Sequence, residues 1–315
     1  MSYASSPPRV VVVTRPTDLD ALLARHGTRE QARFFLETRE ASIAKAGAKK
    51  RNALEDVEQR HRLFEQVLGE VSRAIPMRWR RSRIDRADLS RFVFEPEDII
   101  VCVGQDGLVA NAAKYLEGQL VIGINPDPSR NEGVLVPHRS GDTARLLAAV
   151  AERRARIEER TMVEARVDDG QRIVAANEIY VGHRTHQSSR YRLSFLGREE
   201  RHSSSGLVVT SGTGATGWAR SIVLGKRGNP DVLPRPTDQR LTFLVREAFP
   251  SVATGTSITE GNITPHAKLQ IVSEMNEDGR IFGDGIEEDA IDFRWGLRAT
   301  LGIAPSRLRL VKAAA

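Results

Sequence analysis

Ile99-Ile100-Val101-Cys102-Val103-Gly104-Gln105-Asp106-Gly107 is the stretch on which the fold turns. Five consecutive apolar residues suit a strand covered on both faces. The glycine-bounded turn that ends them leads into an apolar run whose spacing predicts a helix from about Val109 to Leu116, and Leu120 to Ile124 predicts the next strand. A strand, turn, helix and strand of this length is what a right-handed crossover between parallel strands needs. In such sheets ligands bind at the carboxyl ends of strands, which is where the turn falls.

Working outward, Arg9-Val10-Val11-Val12-Val13-Thr14, ended by Pro16, predicts a second buried strand. Val57, Leu63, Phe64, Val67, Leu68, Val71 and Ile75 recur at helical spacing up to Pro76, which predicts an amphipathic helix from about Asp56. Thr28 to Lys50 fits either another helix or a surface segment. After a predicted helix over Ala144 to Arg156 the period becomes two. Met162 to Val167, an Asp169-Gly170 hairpin turn and Ile173 to Ala176 come first. Strand-like runs at Tyr191–Phe195, Leu207–Thr210, Leu241–Val245, Leu269–Val272 and Ile281-Phe282 follow. The expected fold class is an α/β N-terminal domain with a parallel sheet, over residues 1–150, plus a β-rich C-terminal domain over 151–291.

The 315 residues suffice for two domains of ordinary size. With 40% hydrophobic and 28% charged residues the composition is that of a globular protein, and no apolar run approaches the roughly 20 residues of a membrane span. The N-terminus lacks a basic region and cleavage site of the secretory kind, so a cytoplasmic location is expected. The net charge of +6 favours anionic partners in general. Aromatics are only 5%, and the densest basic run, Arg78-Trp79-Arg80-Arg81-Ser82-Arg83, reads as a solvated surface, so no nucleic-acid partner is expected. The single cysteine, Cys102, excludes an internal disulfide and reads as core filler. His183, His186 and His202 lack metal-ligand spacing and read as ordinary surface histidines, so no metal-ligating residue is assigned.

Three short segments carry chemistry. In the first, Gly104 and Gly107 let backbone N–H groups face an anion at a helix start, and phosphate can be held there. A carboxylate beside phosphate is repulsive unless it binds a cation or takes a proton from an attacking hydroxyl, the two tasks of phosphoryl transfer. A tight turn with Asp106 as helix cap fits the same spacing. The second is Ser211-Gly212-Thr213-Gly214-Ala215-Thr216-Gly217-Trp218, which formally satisfies G-x-G-x-x-G. A dinucleotide fold would also need an acidic residue ending a second strand about 20 residues on. Asp238 instead precedes a strand, and the surrounding pattern is antiparallel. What remains is a loop able to approach a ligand, with Trp218 available to an adenine ring. The third, Asn177-Glu178 at a strand end, offers donor and acceptor groups suited to ribose hydroxyls.

Taken in order, these segments resemble the NAD kinase family. Gly104-Gln105-Asp106-Gly107-Leu108 is similar to its Gly-Gly-Asp-Gly-Thr turn, Asn177-Glu178 to its Asn-Glu pair, and Thr213-Gly214-Ala215-Thr216-Gly217-Trp218 to its Thr-Gly-Ser-Thr-Ala-Tyr loop. The stretch from Ile122 to Gly133, Ser204-Ser205-Gly206-Leu207, Trp218 and Val245-Arg246-Glu247 look most like the mitochondrial branch. The resemblance implies transfer of the ATP γ-phosphoryl to the adenosine 2′-hydroxyl of NAD, with Mg²⁺, in a homodimer or higher homo-oligomer. A C-terminal segment over about 292–315 would return to the first domain. It implies Asp106 as base or orienting group, Asn177 and Glu178 on the nicotinamide-side ribose, Thr213 and its loop against the ligand, Thr216 and Trp218 on adenosine, and Gly104 and Gly107 at phosphate. Gln105 in place of a glycine would cost on the order of 1 kcal/mol if its φ were positive. Leu108 in place of threonine removes a hydroxyl. Two other readings are a lipid kinase of the diacylglycerol type, which shares the turn but not the other segments, and a catalytically weak NAD-binding regulator.

Overall fold

The computed structural model describes residues 7–44 and 53–312. The chain divides into two compact units, one of residues 1–109, 121–156 and 311–315, the other of 110–120 and 157–310.

The first unit opens with β1 (Arg9–Thr14), whose valines are buried on both faces. Helices α1 (Asp18–His26), α2 (Arg29–Ala44) and α3 (Ala53–Ala74) follow, then β2 (Arg80–Asp85), β3 (Ile99–Val103), α4 (Asp106–Ala113), β4 (Leu120–Ile124) and α5 (Thr143–Ala151), with residues 110–120 of this run grouped with the second unit. The Thr17 hydroxyl accepts from the Asp20 N–H, and the Asp20 carboxylate accepts from the Thr17 N–H, so a capping box starts α1 immediately after β1. Strands run in the order β2-β1-β3-β4. β1 is parallel to both β2 and β3, which is the parallel sheet that the unbroken apolar runs require.

Several expectations are corrected. The arginines of the basic run Arg78–Arg83 are exposed, as expected of a solvated surface, but the run also has regular structure. Arg80–Asp85 is the edge strand of the sheet, its arginine side chains largely turned to solvent. Thr28–Lys50 is helical as far as Ala44, and residues 45–50 lie outside the described residues. Helix α4 starts at Asp106, three residues earlier than its apolar spacing indicates, so the acid and Gly107 occupy the helix's first turn. Helix α5 stops at Ala151 instead of reaching Arg156. Cys102, by contrast, is fully buried as expected of core filler, and burial pushes its thiol up to about 12.

The second unit contains β5 (Arg156–Val167), β6 (Arg172–Ala175), β7 (Glu178–His183), β8 (Ser189–Phe195), β9 (Arg198–Ser204), β10 (Leu207–Thr210), α6 (Trp218–Gly225), β11 (Leu241–Val245), β12 (Glu260–Ile263), β13 (Leu269–Ser273), β14 (Gly279–Gly283), β15 (Ile286–Asp292) and β16 (Arg298–Lys312). One sheet has the order β12-β11-β10-β7-β14-β15 and is antiparallel throughout. Another places β8 between β9 and β13, and β13 against β16, with the β5–β6 hairpin paired to β16. Their inward-facing residues form one core, including Tyr191, Phe243, Phe293 and Leu301. Val311 and Lys312 group with the first unit, where the Val311 carbonyl lies 2.7 Å from His138 Nε2. No helix among the described residues is long and apolar enough to cross a membrane.

Candidate functional site

In the first unit, Gly104 and Gln105 leave the buried end of β3, and Asp106 starts α4. The Asp106 carboxylate does not cap its own helix. It accepts N–H bonds from Val134 (3.1 Å, to Oδ2), Leu135 (2.8 Å) and Val136 (3.2 Å, both to Oδ1). Three charge-assisted bonds fix the acid and, in the same act, fix the loop that follows β4. Gly123 makes that arrangement sterically feasible, since a Cβ there would lie 2.1 Å from the Leu135 carbonyl oxygen. The long stretch after Ile122 thus serves to hold Asp106 in place.

The two departures in the turn have physical explanations. Gln105 lies outside the left-handed region, so its Cβ carries no backbone penalty. Its amide donates to Asn131 Oδ1 (3.0 Å) and its carbonyl accepts from Arg15 Nη2 (3.1 Å). Leu108 is buried at 2% exposure, with Cδ2 only 3.0 Å from where a Gly104 Cβ would stand. At this position the side chain serves core packing. Gly107 differs: its φ is not positive, and a Cβ would meet nothing within 4 Å. Neither backbone nor packing calls for glycine there, and the space beside it is open.

In the second unit, the other two segments come together around a residue that sequence reading missed. Asp284, in the β14–β15 turn, accepts from the Ala176 N–H (2.8 Å) and the Asn177 N–H (2.7 Å), while its own N–H donates to the Glu178 carbonyl (3.0 Å). The Asn177 carbonyl in turn accepts from the Ser211 N–H (2.8 Å), and the Ser211 hydroxyl donates to the Ala176 carbonyl (2.5 Å). Gly214 packs here too, for a Cβ would lie 2.5 Å from the Asn177 carbonyl oxygen. At Gly212 a Cβ would collide with the Arg235 backbone at 1.9 Å. These two glycines therefore answer to neighbouring backbone, not to a ligand. The available signal for Asp284 was Gly283-Asp284-Gly285, an acid flanked by glycines at a strand end, as at Asp106.

The electrostatics of this cluster are unusual. Burial, followed by repulsion from Asp284, raises the Glu178 carboxyl to about 7. Burial likewise raises Asp284 to about 6, against the pull of the Asn177 and Ala176 N–H groups and Lys114. Lys114, whose side chain is 2% exposed, pairs with Asp289 at 2.7 Å, and Tyr115 donates to the same carboxylate (2.8 Å). The Glu178 carboxylate has no hydrogen-bond or ion-pair partner among the described residues, so a ligand can claim it. Thr213 Oγ1 is buried without a hydrogen-bond partner among the described residues, while Thr216 is exposed. Trp218 is half-buried, stacked on Tyr180 with ring centroids 5.8 Å apart, and Arg246 lies 5.1 Å from its ring centre. It borders a hollow of about 920 Å³.

The G-x-G-x-x-G loop is not a dinucleotide fingerprint, because β10, which precedes it, is antiparallel to both neighbours. Of the three histidines expected at the surface, His186 is exposed and the other two are not. His183 and His202 are buried, the first accepting from the Thr185 N–H and the second packed on Tyr191 with Glu200 at 2.8 Å. Among the described residues no group of three or more His, Cys, Asp or Glu could hold a metal ion.

With this geometry in view, solved structures of the same architecture can be compared. An NAD kinase from Archaeoglobus fulgidus in complex with ATP superposes with a TM-score of 0.57 at 18% identity, over 96% of this chain and 93% of that one. Yeast NADH kinase complexed with NADH gives 0.61 at 12% identity, over 99% and 85%. The chain therefore has the NAD kinase-like fold, an α/β domain joined to a β-rich domain. No family model and no curated protein matches it by sequence.

Proposed function

We propose that this protein is an NAD kinase, moving the terminal phosphoryl group of ATP to the adenosine 2′-hydroxyl of NAD. The observation that carries the reading is Asp106: an acid fixed by three backbone N–H groups at the carboxyl end of a parallel strand, in a fold shared with two kinases of NAD or NADH.

In the proposed reaction the 2′-oxygen attacks the γ-phosphorus as the bond to the ADP oxygen breaks, and the hydroxyl proton passes to Asp106. Oδ2 is the suited oxygen, since it accepts one N–H where Oδ1 accepts two. Gly104 and Gly107 admit the donor phosphates, beside which the open space at Gly107 lies. Asn177 and Glu178 hold the nicotinamide-side ribose. With its carboxyl raised to about 7, Glu178 can donate as well as accept near neutrality. Thr213 and Thr216 offer hydroxyls to the ligand, and Trp218 its ring to the adenosine. A magnesium ion that arrives on the donor phosphates would take most of its ligands from them and from water and would offset the charge of the transferring group; among the described residues no cluster of His, Cys, Asp or Glu offers it a preformed site.

Neither Gln105 nor Leu108 strains the turn, which supports the kinase reading at Gln105; the hydroxyl that Leu108 lacks is the remaining motive for a silent NAD-binding regulator. Incubation of the pure protein with ATP, Mg²⁺ and NAD, followed by assay for NADP, tests the reading, with Asp106→Asn as control. NADP formed by the parent and reduced about 10²-fold or more in the variant is expected for loss of a general base. Tight NAD binding with no NADP refutes it.

A further inference from the structure

The segments that follow β1, β3 and β4 line one cleft of about 140 Å³ in the first unit, with Arg15, Thr17, Arg60, His61, Gln105 and Arg130 among its residues. Its three guanidinium groups are not equivalent. Arg60 is held by Asp18 at 2.6 Å, and Arg130 by Asp56 at 2.6 Å. Arg15 is exposed and meets no carboxylate among the described residues; its Nη2 donates to the neutral side-chain carbonyl of Gln105 at 3.1 Å. Gln105 is anchored in turn on Asn131 at 3.0 Å. The chain of contacts thus runs across the ends of all three strands, from the residue after β1, through the turn after β3, to the loop after β4.

We infer that Arg15, positioned by Gln105, is the ligand for the polyphosphate of the phosphoryl donor. A guanidinium tethered to a neutral amide keeps its full charge and exchanges a single neutral bond for the charge-assisted, forked contact a phosphate offers. Gln105 takes the place of a glycine in the turn that this chain resembles, and its side chain supplies a support that glycine cannot. Arg15 then provides the positive side chain that a turn without a phosphate-binding lysine otherwise lacks. The inference rests on the kinase reading, but the anion site itself can be examined apart from it.

The experiment uses the full chain and two donors, MgATP and inorganic tripolyphosphate, with binding of each followed by calorimetry alongside NADP formation. Arg15→Ala is expected to raise the donor KM and weaken binding of both polyphosphates by about tenfold or more, with the KM for NAD changed by less than about twofold. Arg15→Lys should recover part of the loss, having the charge without the fork. Gln105→Gly should raise the donor KM by about threefold in the parent and have no further effect on Arg15→Ala, because the two act as one unit. An unchanged donor KM in Arg15→Ala, or a lower one in Gln105→Gly, overturns the inference. A parent that binds tripolyphosphate through Arg15 yet forms no NADP overturns the kinase reading and upholds the anion site. If Arg15→Ala weakens ATP but leaves tripolyphosphate binding intact, the contact is to the nucleoside and the inference fails.

Discussion

Glu178→Gln separates the cost of burying a charge from everything else at the second cluster. The residue starts β7 at the point where Asn177 and Ala176 are tied to Asp284, and its carboxyl has no partner among the described residues. Burial and Asp284 raise it from 4.5 to about 7. Because the folded value exceeds the unfolded one, the folded chain holds the proton more firmly. Its stabilising effect is complete below 4.5 and is lost as pH rises through about 7. At about 1.4 kcal/mol per pK unit the loss amounts to about 3 kcal/mol. Glutamine keeps the volume and cannot ionise. In urea unfolding followed by circular dichroism, the stability of Glu178→Gln relative to the parent should therefore improve by about 3 kcal/mol between pH 4.5 and pH 8.5. Asp284 titrates in both proteins and largely cancels. A difference constant within about 0.5 kcal/mol across that range would refute the assignment.

Three further substitutions probe separate parts of the structure. Gly107→Ala should leave thermal stability unchanged or raise it by up to about 1 kcal/mol, since alanine suits the first turn of α4, while raising the donor KM; equal kinetics would show that the open space is not used. Gly214→Ala drives a Cβ to 2.5 Å from the Asn177 carbonyl oxygen and should cost about 1–3 kcal/mol in chemical denaturation. It should also weaken NAD binding measured by calorimetry, and a variant as stable as the parent would contradict the packing. Lys114→Met leaves Asp289 without its buried partner and removes a charge that favours ionised Asp284. A loss of about 3–5 kcal/mol is expected, and an increase in melting temperature would count against the arrangement.

How far the sequence is legible depends on the kind of signal. Val10–Val13 and Ile99–Val103 declare buried parallel strands because a strand covered on both faces needs apolar residues at every position. The hairpin at Asp169-Gly170 is readable because Gly170, with φ 94°, meets a local backbone demand. Arg80–Asp85 was hidden because an edge strand buries little of its surface, and its arginines look like any solvated run. The early start of α4 was hidden too: Asp106 and Gly107 join the helix through backbone geometry that apolar spacing does not record.

The amino-acid order by itself determined that Gly104-Gln105-Asp106-Gly107 ends a buried strand and leads into a helix. Only the tertiary structure decided what that acid and its neighbours touch. Asp106 is held by N–H groups of residues 134–136, Asn177 by Asp284, and Gln105 by Arg15 and Asn131. Local spacing encodes strands, helices and turns through contacts a few residues apart, whereas each of these bonds joins residues between 26 and 107 positions apart. Their partners are selected when distant segments pack, and no local pattern specifies that choice.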